Sequence, residues 1–389
     1  GTSFNRFLQE VTSCFQIVLM DLSSEDSLRI NVLLANKPQA IRIHESSMTL
    51  YGLTETGEAQ VKLNPDCRDE QYIKKVKEVL SSHISGSPGG YPVFIQRWTR
   101  MGQMRDDSLE QLLLLGEPEA VVAAVCANGV TDELARRAWW AMEDAENARL
   151  LLQHEAVVNG EMGKVLAAYL IEHLPFETEP EKMIKTVQRV LQPGLTDLAT
   201  RQDLWKKGIR KGAYHVGFIL SLPDDLPIDA DPHPEYERSR NDLENLLQQG
   251  NTLARLVKTL LSENGQAFWQ ALQVIMKKPS NQEVVSETLD AVRFYLSDIR
   301  PEGDPDLTLD ALKSEAVNFI QKNQDARQII EAMPYLEDFI RSLRVMSGMG
   351  YGVLRPVFHD TTAIGSLMRK KLEPVFTPLL QEITILTGN

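Results

Sequence analysis

Residues 131–158, TDELARRAWWAMEDAENARLLLQHEAVV, decide the fold class. Leu134, Ala138, Ala141, Ala145, Ala148 and Leu152 recur at steps of three and four, while Glu133, Arg136, Arg137, Glu143, Glu146 and Arg149 take the opposite side. A period of this kind lays one apolar stripe along an α-helix, so the stretch reads as amphipathic helix. The same pattern continues on both sides. Glu117-Pro118, Asn159-Gly160, Glu179-Pro180 and Thr196-Asp197 each open a further apolar-periodic segment, as Thr131-Asp132 does, and Asn128-Gly129 and Pro193-Gly194 close two of them. Helix pairs would then recur about every 35 to 40 residues, the range of helical-hairpin solenoids. No consensus repeats, so residues 106–389 are expected to form an irregular HEAT-like all-helical array. The acidic, proline-rich stretch 223–237 cannot continue a helix and is the best internal linker.

Toward the N-terminus the period changes. QAIRIHE, MTLYGLT and EAQVKLN are short, rich in β-formers and separated by turn residues such as Glu55-Thr56-Gly57, which predicts an antiparallel meander. A helix follows over RDEQYIKKVKEVLSSHI, with Tyr72, Val76, Val79 and Leu80 on one face and Asp66 placed to cap it. The loop GSPGGYP leads to PVFIQRWTR, a further expected strand. Before the meander, Phe4, Phe7, Leu8, Val11, Phe15 and Val18 fall at helical spacing, which predicts a short amphipathic helix docked on the body or on a neighbour. The expected fold is therefore α+β and helix-dominated: a small sheet-and-helix module with a leading helix, residues 1–105, followed by the helical array.

Composition narrows the function classes. The 389 residues are 43% hydrophobic and 24% charged, enough apolar content for a substantial core. A net charge of −13 opposes the phosphate attraction on which non-specific nucleic-acid binding depends. No apolar run reaches the roughly 18 residues of a membrane helix. Val11-Thr12-Ser13-Cys14 has the outline of a lipoprotein cleavage box, but the residues before it lack an apolar signal core. Cys14, Cys67 and Cys126 are odd in number and widely separated, unlike a disulfide framework or zinc ligand set, so neither a disulfide nor a bound metal is expected, and a reducing cytoplasm is.

Three stretches, SLRINVLLANKPQAIRIHESSMTLYGL, RRAWWAMEDAENARLLLQHEAVV and DLWKKGIRKGAYHVGFILSLPDDLP, resemble the DsrS family, accessory proteins encoded with the reverse-type dissimilatory sulfite reductase of sulfur-oxidising bacteria. The likeness extends over most of the chain after about Met20 and carries no catalytic motif. It implies a cytoplasmic protein connected with the oxidation of stored sulfur or with expression of that machinery, and it implies no reaction and no cofactor.

The candidate chemistry is sparse. Cys67, in NPDCRDE before a helix, has the macrodipole and Arg68 to favour a thiolate, while Asp66, Asp69 and Glu70 oppose it. Cys126 sits among small apolar residues and reads as a core thiol. His359-Asp360 has the look of a paired metal-ligand dipeptide but lacks the other ligands, and His154-Glu155 lacks the second histidine of HExxH at Val158. His233 reads as a loop residue, and Gly86 to Tyr91 lacks the lysine and following helix of a phosphate loop. Of the pair Trp139-Trp140, one is expected in the core and the other between helices. Lys206, Lys207, Arg210 and Lys211 make a basic stripe if residues 205–216 form one helix, with Trp205, Ile209, Ala213 and Val216 on its apolar side. Lys206, Lys207, Arg210 and Lys211, with Trp205 as the aromatic contact, are the expected partner-binding residues. The expected function is a non-catalytic accessory or interaction protein of dissimilatory sulfur oxidation whose partners are other proteins. A persulfide carrier or sulfurtransferase acting through Cys67 is the alternative, and an RNA-contacting regulator using the basic stripe is the third reading.

Overall fold

The computed structural model describes residues 22–85, 106–359 and 361–388. The expected leading helix at residues 4–20, the loop GSPGGYP, the strand PVFIQRWTR, Cys14 and Asp360 lie outside the described residues. The rest is a helix-dominated α+β fold, as expected, and every strand among the described residues lies between Ala40 and Lys62. The chain forms two compact units, Gly1–Tyr169 and Leu170–Asn389.

In the first unit, helix α1 (Ser24–Ala35) is capped by the Ser23 hydroxyl, which accepts from Asp26 N at 3.3 Å. Strands β1 (Ala40–His44), β2 (Thr49–Thr54) and β3 (Gly57–Lys62) form the expected meander, antiparallel throughout and in the order β1-β2-β3. Helix α2 (Asp69–Ser85) lays Tyr72, Ile73, Val76 and Leu80 onto Ile41, Leu50, Val61 and Leu63 of the sheet, with Ile30, Leu33 and Leu34 of α1 completing the core. Asp66 does not cap α2 and instead meets Lys75 at 3.6 Å. The join is fixed by a carboxylate: Asp26 is fully buried and accepts from Asn64 N at 2.7 Å, from Asn64 Nδ2 at 3.2 Å and from the Tyr72 hydroxyl. Burial, reinforced by that bond to Asp26, pushes the Tyr72 hydroxyl up to about 12.

Four short helices follow, α3 (Asp106–Leu112), α4 (Pro118–Cys126), α5 (Asp132–Ala141) and α6 (Ala145–Leu151), with a single turn α7 (Glu155–Val158) after them. They belong to the sheet's unit. Ile41 N donates to Leu113 O on the outer edge of β1 at 2.8 Å, and Arg42 Nη1 reaches Trp140 O at 3.1 Å. The division between the compact units falls after Tyr169, well past the last described strand, which ends at Lys62.

The stretch 131–158 is three helices rather than one. Thr131 caps α5 and Asp144 caps α6, each side chain accepting from the amide three residues on. Buried Asn147 seals the break between them by donating Nδ2 to Ala138 O at 3.2 Å and to Met142 O at 2.7 Å. The break turns the second half, so Arg149, expected on the outer surface, is buried with Glu146 at 2.8 Å.

The second unit begins within helix α8 (Glu161–His173) and continues through α9 (Pro180–Val190), α10 (Leu198–Gly208), α11 (Ala213–Ser221), α12 (Tyr236–Gln248), α13 (Ala254–Leu261), α14 (Glu263–Lys277) and α15 (Gln282–Tyr295). The last helices are α16 (Leu309–Lys322), α17 (Gln324–Ala332), α18 (Glu337–Met346), α19 (Tyr351–Phe358) and α20 (Gly365–Thr387). Pairs such as α12 with α13 and α16 with α18 pack locally, as in helical repeats. The array is irregular because α20 returns to α14, where buried Gln266 donates to Leu386 O at 3.0 Å. Residues 223–237 are non-helical up to Tyr236, as expected, yet they are pinned: Asp224 accepts from the Tyr295 hydroxyl, and Asp225 meets Arg201 at 3.4 Å.

An ion network locks the last third. Arg300 and Arg344 are 3% and 4% exposed, and Glu315 receives Arg300 Nη2 at 2.7 Å and Arg344 Nε at 3.0 Å. The glycines of SGMGYG make room for the neighbouring loop: a Cβ on Gly352 would lie 2.7 Å from the Asp306 backbone. Burial opposes ionisation of Glu315, but hydrogen bonds from Arg344 and Arg300 outweigh it and hold its carboxyl below the usual range. Its contribution is therefore complete above the ordinary carboxylate range and is lost as pH falls through the lowered folded value. Glu315→Ala leaves two buried guanidinium groups short of a partner and is expected to cost about 3 kcal/mol, read from denaturant unfolding at neutral pH. Loss of less than about 1 kcal/mol would show the network to be solvent-screened.

Candidate functional site

The predicted basic stripe is where the structure departs most from the sequence reading. Asp197 caps α10 by accepting from Thr200 N at 2.8 Å, and the helix ends at Gly208 rather than running on to residue 216. Residues 209–212 turn, and α11 starts afresh at Ala213. Trp205 is not an exposed aromatic. Its ring is stacked on His215 at a centroid distance of 4.0 Å and meets the edge of Phe218 at 5.1 Å.

Gly208 makes this junction. A Cβ there would lie 2.4 Å from the His215 ring, so the end of α10 can rest on α11 only with glycine at that position. His215 is 2% exposed, and its Nε2 lies 2.9 Å from Trp205 O. A carbonyl only accepts, so Nε2 carries the proton. Burial lowers the pKa of His215, with the Trp205 carbonyl acting weakly the other way.

The four cations part company. Lys207 pairs with Asp203 at 2.7 Å on the helix surface. Lys211 donates to Pro175 O at 3.1 Å and Glu177 O at 3.3 Å, tying the turn to the segment after α8. Lys206 and Arg210 are exposed, and no ion pair reaches either among the described residues. None of the four meets the acidic stretch, which Arg201 engages instead. Ile209, expected on the apolar side, is 76% exposed, because the helix stops one residue before it. Phe176, between the two carbonyls that Lys211 holds, is 78% exposed. The turn after α10 thus exposes Ile209 with the unpaired Lys206 and Arg210, and Lys211 ties it to the segment that exposes Phe176. Phe176 was not singled out in the sequence, and its neighbours Leu174-Pro175 carry only a helix-end signal.

The remaining candidates resolve individually. Cys67 is half-buried against the sheet core in the turn before α2. Cys126 is exposed rather than packed: Ala120, Val121, Ala124 and Val125 form the buried face of α4, and Cys126 is its last residue, turned outward. His154 Nε2 lies 2.6 Å from Val125 O. His233 is buried against Phe339 at 5.4 Å, so it is a packing residue although it lies in a loop. His359 is exposed. Trp139 meets Tyr169 edge-on at 4.7 Å, and Trp140 donates to Glu58 at 3.0 Å beneath the Arg42 guanidinium, so both tryptophans make contacts between elements and neither is in the core. Among the described residues no three His, Cys, Asp or Glu side chains converge as a metal site, and no helix is long and apolar enough to cross a membrane.

No protein-family model matches the chain, and no curated protein or solved structure matches it either.

Buried, neutral His215 makes stability acid-sensitive. Its folded pKa is lowered, so its contribution is complete above the ordinary value near 6.5 and is lost as pH falls, because the unfolded chain takes up the proton first. His215→Gln is expected to flatten the decline of unfolding free energy below about pH 6.5. Part of the slope should remain, since burial lowers His233 as well. An unchanged slope would place the titration elsewhere.

Proposed function

We propose that this chain is a non-catalytic accessory protein of dissimilatory sulfur oxidation that works in the cytoplasm by binding another protein. The carrying observation is the tip at the end of α10. Ile209 and Phe176 are held out by a turn that Lys211 fixes, with Lys206 and Arg210 unpaired beside them. Binding energy at protein interfaces concentrates in a few apolar or aromatic anchors, and flanking charge sets orientation and encounter rate. A tip of this make-up fits an acidic surface with an apolar recess. The sulfur-oxidation context is supported by the DsrS-like stretches, one of which, residues 203–227, contains Lys206, Ile209, Arg210 and Lys211.

Lys206→Glu with Arg210→Glu is expected to leave stability within about 1 kcal/mol of the parent, as exposed substitutions do. Mass spectrometry of proteins retained on the immobilised chain from a sulfur-oxidising extract should show components of the sulfur-oxidation machinery. The double variant should lose most of them, and added salt should reproduce the loss by screening the same charges. Phe176→Asp tests the apolar half separately. Retention of the same proteins by both variants would remove the tip from the proposal, and retention of none of that machinery by the parent would remove the context.

A further inference from the structure

In the second unit the end of α14 is joined to the start of α20. Gly365 N donates to Ser280 O at 3.3 Å, Arg369 Nη1 to Pro279 O at 3.4 Å and Gln282 Nε2 to Thr361 O at 2.7 Å. Residues 271–282 and 361–372 hold five cations, Lys277, Lys278, Arg369, Lys370 and Lys371, and no acid, in a chain whose 54 acidic residues outnumber its 41 basic ones. The lysines are exposed and Arg369 is half-buried. Asp360, Glu283 and Glu373 flank these segments, yet no ion pair reaches any of the five cations among the described residues. Lys371 Nζ bonds to the neutral Thr361 Oγ1 at 2.8 Å, as Arg369 does to a carbonyl. Apolar side chains of the same segments are also turned out: Ile364 is 71%, Leu367 57% and Val274 52% exposed. Val274, Lys277 and Lys278 share one face of α14, and Leu367, Lys370 and Lys371 one face of α20.

We propose that this basic and aliphatic patch docks the protein on an anionic lipid surface. Each lysine or arginine near such a surface raises partition roughly fivefold, and aliphatic side chains sink into the boundary below the headgroups. Lysine suits that place, because its stem lies along the apolar boundary while the ammonium stays with the phosphates. Nucleic acid is a poor occupant: single-strand platforms stack bases on aromatic rings, and Val274, Ile364 and Leu367 are all aliphatic. A protein is a poor occupant as well, since interfaces are depleted in lysine and anchored by aromatic residues and arginine. The net charge of −13 repels the same lipid surface, so docking holds only with the patch facing it, within about 8 Å at physiological salt. Attachment of this kind is peripheral and needs no membrane-spanning helix. It does not rest on the protein-binding reading above.

Flotation of the full chain with lipid vesicles tests this. Vesicles of equal parts phosphatidylcholine and phosphatidylglycerol should carry the parent up a density gradient, vesicles of phosphatidylcholine alone should not, and added salt should release it. Lys278→Glu with Lys370→Glu is expected to lower partition at least about tenfold. Ile364→Ser with Leu367→Ser should weaken binding too and leave the remainder more sensitive to salt, the mark of lost insertion. All four positions are exposed, so the fold is kept. As a control, Lys182→Glu with Lys185→Glu makes the same change of net charge at lysines already paired with Glu179 and Glu181, and it should float like the parent. Failure of the parent to float with the anionic vesicles would overturn the proposal, and so would unchanged binding by either patch variant. A loss in the control equal to that of the lysine variant would overturn it by showing that net charge alone matters. Capture of polyuridylate in place of vesicles would overturn it in favour of nucleic acid. No variant alters Lys206, Ile209, Arg210 or Phe176, so these outcomes leave the protein-binding reading untouched.

Discussion

A chain built from short helices has many helix ends, and each end leaves backbone groups that must find partners. Here those partners set the architecture. Ser23, Thr131, Asp144, Asp197, Asn281, Thr308 and Asn323 each accept from the amide three residues on. At α8 the cap comes from another helix, since the Asp132 carboxylate accepts from Glu161 N and Met162 N, both at 3.0 Å. Lys211 is the same device with the charge reversed, a cation meeting carbonyls where a helix has run out. A capped end has a defined direction. The turns that follow are therefore held in place, and what they hold out to solvent is held in place with them.

Helix openings were legible because capping residues and prolines are local signals. Thr131, Asp197, Pro118 and Pro180 all stand at or next to the helix starts their types imply. The breaks were less legible. Ala141 and Ala145 keep a four-residue step across the gap between α5 and α6, so the apolar period runs on although the helix does not. Asp144 with Asn147 three residues on was the signal that could have shown it. Gly208 posed the same difficulty with a larger consequence. One glycine is compatible with helix, and only the three-dimensional approach of His215 shows why the chain must turn there. The residues expected to form one basic stripe thus lie on a helix end and the turn after it, with Trp205 stacked on His215. Two of the stripe's cations are committed to partners within the chain, and Phe176, not Trp205, is the exposed aromatic.

Comparing cations within one chain separates stability from recognition. Arg300 and Arg344 are buried and shared between carboxylates and carbonyls, so they are costly to remove and invisible from outside. Lys206 and Arg210 are the opposite case. They contribute little to the fold, which leaves their charge free for use at the surface.

The overall charge then limits what that surface can recognise. At −13 the chain repels an acidic partner at long range, but at physiological salt this field decays over about 8 Å. Inside that distance local charges decide the sign of the interaction, and Lys206 and Arg210 are exposed cations. Two cations are too few to hold a phosphate backbone, where affinity grows with the number of phosphates neutralised. On the protein-binding reading proposed above, their role is to orient an acidic rim around an apolar contact made by the exposed Ile209 and Phe176.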